Sequence, residues 1–420
     1  MATGAKPVSS LRPSLAADRP GTAVSSDPGR RLPRVRAVMR EGERVTPLEL
    51  FFDLVFVLAL TQCTTLMAAT PSWLGLLKGL LVLGMLWWSW VGYAWLTSVV
   101  DPEEGLVRLV MFAAMGAFLI AALCVPGAFG ADALAFAIAY AAVRVAHIFL
   151  FLLASRDDRG LRKSVVGLAG STAVGAGLIL LAAFAGGTLR VSLWGLALVL
   201  DAAGPYLFGA DGWKLVPGHF AERHGAIVII ALGESIVAIG IGAREKIDTG
   251  IAVAALLGMV VAATLWWAYF DVTAIVAGRR LARAPEGREQ NEIARDSYSY
   301  LHFPLVAGIA LLAVGLKRTL AHVNDPLALV PAVALLGGTA LYLLGHVAFR
   351  LRNIGSLSVR RLVCALALLA LLPSAEHVSA LVLLTIMTSL LVAMIVYEVL
   401  RYADVRDRVR HLAVDRDPAG

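Results

Sequence analysis

The chain has 420 residues, of which 59% are hydrophobic and only 16% are charged, and its mean hydropathy is +0.77. The core of one soluble domain could not bury this much apolar surface, so the composition excludes a soluble globular protein. It predicts an all-α, polytopic integral membrane bundle.

Both ends of the chain are predicted to be cytoplasmic tails. Residues 1–44 are rich in Arg, Pro and Ser and lack the apolar core of a signal peptide, which is typical of a disordered basic segment. Residues 404–420 form a short charged tail. The three cysteines lie within or at the ends of apolar runs, so the sequence predicts neither a disulfide framework nor a metal site. No phosphate-binding or dinucleotide-binding Gly motif is found, and no cofactor is predicted.

Twelve apolar runs of about 17–25 residues follow in chain order, each long enough for a helix that crosses a bilayer. The predicted spans are 45–66, 74–97, 106–128, 131–154, 164–185, 190–209, 222–243, 251–276, 299–320, 326–349, 359–377 and 380–402.

The positive charges predict the orientation of these spans. If all twelve cross, thirty of the 37 Lys and Arg residues lie on one side, six lie on the other, and Arg144 lies within a span. Lys and Arg concentrate on the cytoplasmic side, so both termini are predicted to be cytoplasmic. The net charge of +7 then indicates attraction to anionic lipid at that face rather than to nucleic acid. A homodimer is left open.

The chain resembles two copies of six helices, at 45–210 and 211–403. The stretch MLWWSWVGYAW (85–95) in the second run recurs as TLWWAYFD (264–271) in the eighth, and acids lie in the first and seventh runs. Because six is even, both copies would have the same orientation. This pattern predicts a parallel repeat about an axis along the membrane normal.

The first run, VTPLELFFDLVFVLALTQ (45–62), carries two acids on one helix face, because Glu49 and Asp53 are four residues apart. An acid at the centre of a spanning helix costs about 2.5–3.5 kcal/mol. Asp53 is therefore expected to pair, to bind a cation or to carry a proton. The alternative is a purely structural hydrogen bond between helices.

The seventh run carries a second group of polar residues. Glu222, Arg223 and His224 lie where the helix begins, and they either cap it or belong to a site. Glu234 lies mid-span beside Ser235 and is predicted to be functional, with a hydrogen bond between helices as the alternative. The candidates for transport or ion coupling are Glu49, Asp53, Glu222, Arg223, His224, Glu234 and Ser235.

Further polar residues fall within or at the ends of the apolar runs. This supporting set consists of Arg108, Arg144, His147, Asp201, Asp271, His302, His346 and Glu398. With the predicted topology they map to the cytoplasmic half, whereas Asp53 and Glu234 lie nearer the midplane. The pattern predicts a polar vestibule that opens to the cytoplasm and closes on those two acids.

Three stretches of the sequence resemble the bacterial low-temperature-requirement A (LtrA) membrane family. They are LELFFDLVFVLALTQ (48–62), HFAERHGAIVIIALGESIVAIG (219–240) and SYLHFPLVAGIA (299–310). The resemblance covers nearly all of residues 45–405. It implies a polytopic inner-membrane protein named for a cold-growth phenotype, with the family's motifs falling on Glu49, Phe52, Asp53, Glu222, Arg223, His224, Gly225, Gly233, Glu234 and Ser235.

A fainter similarity links FFDLVF to the Phe-Ser-Asp signature of a two-times-six-helix potassium channel family. Phe52 stands where that signature has Ser, and the seventh run has no Phe-x-Asp. The pore residues of that family are therefore not carried over.

The mid-membrane acids favour a transporter or ion-coupled carrier for a small ion or small molecule, with Asp53 and Glu234 as carriers. A passive cation channel is the first alternative. The others are an intramembrane enzyme that acts on a lipid, for which no nucleophile or metal motif is found, and a non-catalytic stress-adaptation protein. The sequence thus predicts a membrane protein that is not an enzyme.

Overall fold

The computed structural model describes residues 44–103, 105–208, 211–243 and 248–411. Within these ranges the chain is helical and contains no strand. Most of both predicted tails, together with Arg244 and Lys246, lies outside the described residues.

The helices are numbered in chain order. The first six are α1 (Pro47–Ala69), α2 (Trp73–Thr97), α3 (Gly105–Cys124), α4 (Ala133–Ala154), α5 (Arg159–Phe184) and α6 (Gly187–Leu207). The others are α7 (Pro217–Gly242), α8 (Thr249–Phe270), α9 (Thr273–Arg283), α10 (Arg288–Ile293), α11 (His302–Ala321), α12 (Leu329–Ala332), α13 (Gly338–Ile354), α14 (Val359–Ala370), α15 (Ala380–Arg401) and α16 (Ala403–His411). Turns of π-helix at Ala294–Tyr300 and Val333–Gly337 join α10 to α11 and α12 to α13.

Ten helical segments in the described ranges are long and apolar enough to cross a membrane. They lie at Pro47–Ala69, Trp73–Thr97, Gly105–Gly127, Ala133–Ala154, Arg159–Phe184, Pro217–Gly242, Thr249–Arg283, Arg288–Ala321, Leu329–Ile354 and Ala380–Arg401. The predicted runs at 190–209 and 359–377 fall on α6 and α14, which are not among these ten, so the count of twelve is not confirmed. Helix α6 carries charges and an internal proline, and α14 has only 12 residues.

The start of α1 is fixed by reciprocal hydrogen bonds between Thr46 and Glu49. The Thr46 hydroxyl accepts from the Glu49 N–H at 3.4 Å, and the Glu49 carboxylate accepts from the Thr46 N–H at 2.8 Å. Such a capping box satisfies two of the amides that a helix start leaves without an intrahelical partner. It also holds the Glu49 carboxylate at the start of α1.

Helices α1 and α7 run parallel, because they contact each other near both ends in the same order. Near the two starts, Glu49 lies 2.8 Å from Arg223. Near the two ends, the Thr64 hydroxyl donates to Glu234 at 2.5 Å. We call the end of the bundle where α1 and α7 begin the first face, and the end where they finish the second face.

Helix α11 packs closely on α13 and the π-turn before it, because glycines line the shared surface. A Cβ added at Gly315 would lie 2.5 Å from the Leu335 Cα atom, and one added at Gly308 would lie 2.7 Å from the Gly338 carbonyl oxygen. The two α11 glycines are seven residues apart and share one helix face. Small residues at this spacing bring membrane helices into backbone contact.

Replacement of Gly315 with Ala should therefore destabilise the bundle by about 1–3 kcal/mol, since the backbone of Leu335 must move. The matched control is Gly177→Ala on the exposed face of α5, where an added Cβ meets nothing within 4 Å. Thermal melting of the detergent-solubilised variants should show a lower midpoint for the Gly315 variant alone. Equal midpoints would contradict close packing at this surface.

Candidate functional site

The candidate site is built on α1 and α7, and its first part is a set of side chains around Arg223. The Arg223 guanidinium lies 2.8 Å from Glu49 and 3.0 Å from Asp53. His219 Nε2 lies 2.8 Å from the same Glu49 oxygen, and Trp90 of α2 donates to Asp53 at 2.7 Å. We call these five residues the arginine cluster.

Every charged side chain of the arginine cluster is fully buried. The cluster holds two carboxylates and one guanidinium, so its five side chains carry a formal charge of −1 when His219 is neutral. Asp53 Oδ1 accepts two hydrogen bonds, whereas its Oδ2 is buried and has no hydrogen-bond partner among the described residues. One proton or one monovalent cation would neutralise the cluster, and Oδ2 is the atom that can accept it.

A second set of buried polar side chains, the lysine cluster, lies further along the same two helices. Glu234 of α7 accepts hydrogen bonds from Thr61 and Thr64 of α1, both at 2.5 Å. Lys317 of α11 lies 3.2 Å from Glu234 and donates to Thr64 at 2.8 Å. Asp53 and these threonines are 8 and 11 residues apart, so the two clusters are separated by about 12–16 Å along α1.

The sequence analysis counted Lys317 among the six positive charges on the side opposite the cytoplasm and did not identify it as a site residue. The residue lies within α11, is only 7% exposed and pairs with Glu234. Near a helix end, the sequence alone does not distinguish a lysine that extends to the membrane surface from one that turns inward to a buried acid. His219 and Trp90 were not identified as site residues either, although both lie in stretches that the sequence analysis quoted.

The remaining candidates of the seventh run have different surroundings. Glu222 is exposed and accepts from the Val45 N–H at 3.2 Å. The His224 ring is buried against Trp90, with ring centroids 5.1 Å apart. Ser235 is buried, and its hydroxyl has no hydrogen-bond partner among the described residues. Of these three, only His224 contacts the arginine cluster through its side chain.

A separate ion pair joins α4 to α6. Arg144 lies 2.8 Å from Asp201, and both side chains are nearly inaccessible. Thr172 of α5 accepts from the same guanidinium at 2.8 Å, and the Tyr140 hydroxyl donates to Asp201 at 3.2 Å. His147, one turn further along α4, lies beside this pair at a small cavity.

The other predicted supporting residues do not join these clusters. His302 accepts from the Tyr269 hydroxyl at 2.7 Å, and His346 accepts from Arg361 at 2.9 Å. Further ion pairs and one exposed residue complete the supporting set: Glu398 with Arg361, Asp271 with Arg406, and Arg108 on the surface of α3. These side chains therefore lie in separate groups rather than in one vestibule. Both Asp53 and Glu234 are fully inaccessible.

Lys317 should matter for stability because its loss leaves a buried carboxylate without its cation. Lys317→Met should lower the free energy of unfolding by about 3–5 kcal/mol. Adding Glu234→Gln should restore part of this loss, because the remaining polar group is then neutral. Thermal melts of the single and double variants measure the coupling, and strictly additive effects would contradict a direct pair.

Comparisons with known proteins place this arrangement in a family. The family described as "Bacterial low temperature requirement A protein (LtrA)" matches residues 44–396, a range that includes both clusters. A protein of Rhizobium meliloti (strain 1021), called uncharacterized protein RA0937, is 32% identical over 311 residues, covering 71% of this chain and 75% of the relative. No solved structure is significantly similar. The resemblance carried by the three sequence stretches is thus confirmed: the chain belongs to the bacterial low temperature requirement A family.

Proposed function

We propose that the protein is an ion-coupled membrane transporter in which the arginine cluster binds the coupling proton or monovalent cation. The observation that carries this proposal is the Asp53 Oδ2 atom, which is buried and has no hydrogen-bond partner among the described residues. A carboxylate oxygen without a partner is costly in an apolar interior. Binding of one cation or proton removes that cost.

The same binding event would weaken the contact between α1 and α7 at the first face. A protonated Asp53 no longer attracts Arg223 as a carboxylate does, so the guanidinium retains only Glu49 as an ionic partner. The lysine cluster is neutral as it stands and holds the other ends of α1 and α7 to α11. Protonation at the first face could thus open one end of the helix pair while the second end remains closed, as alternating access requires.

Full burial of both clusters favours such a gated carrier over a passive cation channel. A carrier exposes its ion site to one side at a time, whereas an open channel keeps its site in contact with water. We propose no enzymatic activity, since the buried acids and cations are already engaged with one another.

The same proposal includes twelve crossings, because α6 and α14 both connect the two faces. The 21 residues of α6 extend about 31 Å, which matches the hydrocarbon thickness. At its start Trp194 packs on Phe129, in the turn after α3, and at its end the Pro205 carbonyl accepts from Arg295. Helices α1 and α7 both start at the first face, so the chain must cross the membrane an even number of times between the two starts. Helices α1 to α5 supply five crossings, and α6 would supply the sixth.

Helix α14 is short, but its segment connects both faces as well. Arg361 at its start pairs with Glu398 at the end of α15. After α14, the Ala375 carbonyl accepts from the Leu327 N–H, which lies in the loop that follows α11 on the second face. With these two crossings included, the Lys and Arg distribution supports a cytoplasmic location for both termini and for the first face.

Packing between helices supports the parallel repeat that is part of this proposal. Helix α1 packs on α2 and α3, and the corresponding helix α7 packs on α8 and α11. In the same way, α4 packs on α5 where α13 packs on α14, and α2 packs on α6 where α8 packs on α15. The side chains within this common arrangement differ. Trp87 and Trp90 are buried, whereas Trp266 and Trp267 are exposed on the lipid side of α8.

Transport can be tested by flux into proteoliposomes that contain the purified protein, under imposed gradients of H⁺, Na⁺ or K⁺. Wild type should show saturable flux of one ion, and Asp53→Asn should reduce it at least tenfold because Oδ2 becomes an uncharged amide. The matched control is Asp325→Asn, a change at a side chain that is 72% exposed, which should leave flux unchanged. Absence of wild-type flux under every gradient would contradict ion transport, and flux that does not saturate would favour the channel.

The twelve-crossing topology can be tested by labelling single cysteines in a variant without the three native cysteines. Ala185→Cys and Glu376→Cys lie at the second face and should react with an impermeant maleimide added to intact cells. Asp157→Cys and Leu357→Cys lie at the first face and should react only after lysis. Labelling of Glu376→Cys only after lysis would show that α14 does not cross.

A further inference from the structure

The first face carries a group of charged side chains at the place where α13, α14 and α15 meet. Arg350 lies near the end of α13, Arg360 and Arg361 lie in the first turn of α14, and Glu398 lies near the end of α15. We call these four residues the basic corner. None of them belongs to the arginine cluster or the lysine cluster, so the proposed ion transport gives them no role.

One carboxylate serves all three arginines of the basic corner. Arg361 donates to Glu398 with both Nε and Nη2, at 3.2 and 3.1 Å. Arg360 approaches the same carboxylate only to 4.0 Å, and Arg350 forms no ion pair with any described residue. Arg350 nevertheless lies close enough to the other two arginines to be repelled by both. The basic corner therefore carries a formal charge of +2.

Other acids near the basic corner do not neutralise this charge. Asp296 is shared between Arg295 and Arg352, and Asp271 accepts two hydrogen bonds from Arg406. Helix α16, which follows α15, has more arginines than acids in its sequence. The surplus positive charge thus remains with the basic corner.

Two guanidinium groups of the basic corner are accessible from outside the bundle and have unused donors. Arg350 is exposed, its Nε donates to the Ser356 hydroxyl at 3.0 Å, and its Nη atoms have no hydrogen-bond partner among the described residues. Arg360 is 30% exposed, its Nη1 donates to the Tyr402 hydroxyl at 2.6 Å, and the Tyr402 ring lies 4.5 Å from its guanidinium carbon. These contacts orient both guanidinium groups, whose remaining N–H donors suit the oxygens of an anion.

The surface beside these two arginines is apolar, which indicates that the anion carries an apolar chain. Val363 lies three residues after Arg360 on the same face of α14 and is 58% exposed. Tyr397 of α15 is 52% exposed, and its ring lies 5.9 Å from the Arg360 guanidinium carbon. Tyrosine is enriched where lipid headgroups meet the hydrocarbon. The basic corner is therefore placed at the boundary between headgroups and acyl chains.

We propose that the basic corner binds the phosphate group of an anionic phospholipid in the leaflet at the first face. Arg350 and Arg360 donate to the phosphate oxygens, and an acyl chain lies along Val363 and Tyr397. A zwitterionic lipid binds more weakly, because its ammonium group meets the surplus positive charge. The excess of Lys and Arg on this face attracts anionic lipid without selecting a position, whereas this site holds one lipid at one place. Lipid binding here does not depend on the proposed ion transport.

Native mass spectrometry of the detergent-solubilised full-length protein tests this site by titration with phosphatidylglycerol or phosphatidylcholine of identical acyl chains. Wild type should bind one phosphatidylglycerol about tenfold more tightly than phosphatidylcholine, and Arg350→Gln/Arg360→Gln should remove about this tenfold preference. The matched control is Arg159→Gln/Arg162→Gln. It removes the same charge from exposed positions at the start of α5, on the same face, and should bind as wild type does.

Melting midpoints of the same samples show whether the variants are folded, and phosphatidylglycerol should raise the midpoint of wild type more than that of the Arg350→Gln/Arg360→Gln variant. Arg350→Gln alone changes an exposed side chain and should weaken phosphatidylglycerol binding about fivefold without changing the lipid-free midpoint. Glycerophosphoglycerol, the same headgroup without acyl chains, should not displace the lipid at millimolar concentration.

The proposal is overturned if wild type binds both lipids equally well, or if folded variants at the basic corner retain wild-type affinity. Equal losses in the two double variants would show general attraction to the face rather than a site. Displacement by glycerophosphoglycerol would show a site for a soluble phosphodiester instead of a lipid. None of these results bears on ion flux, which is measured separately.

Discussion

The placement of one guanidinium between two carboxylates fixes the contact between α1 and α7. Arg223 can be fully buried because Glu49 and Asp53 pair with it, and its positive charge offsets part of the cost of placing two acids in an apolar helix. Their contact fixes α1 against α7 in one rotation and one axial register. Trp90 adds a neutral donor from α2 and thereby locates a third helix. In a membrane, where apolar burial drives little helix association, such polar contacts decide which helix faces meet.

The lysine cluster extends this constraint to the other end of α1 and α7. Contacts at two levels along both helices make them parallel and prevent one from sliding past the other. Lys317 brings in α11, whose glycine-lined face packs on α13, so the charge pairing with α7 and the close packing against α13 share one helix. The lysine cluster and the arginine cluster thus hold the same two helices through different side chains.

Part of this site could be predicted from the sequence because an acid in an apolar helix is costly wherever its partner lies. That argument identified Glu49, Asp53 and Glu234 without any knowledge of the fold. It could not identify Lys317, because a lysine near a helix end can equally extend its ammonium group to the membrane surface. It could not identify Trp90 either, because a tryptophan in an apolar stretch is equally suited to an exposed position, and Trp266 is in fact exposed. The length of the apolar runs predicted most of the helices. Helix α6 carries charges and α14 is short, so these two are not among the ten helices that are long and apolar enough to cross a membrane.

The two clusters hold the same two helices but have different polar partners, and this difference is what the proposed carrier requires. In the first cluster an acid of α1 is paired with an arginine from the start of α7, and in the second an acid of α7 is paired with a lysine from the end of α11. If the two clusters were chemically identical, protonation would affect both ends of the α1–α7 pair alike, and neither face would open before the other. Because the arginine cluster has an acid oxygen without a described partner and the lysine cluster is already neutral, a proton has a reason to bind at the first face and none at the second. Under the proposed function, this difference between the two ends of the α1–α7 pair is the physical basis for coupling ion binding to a change in access.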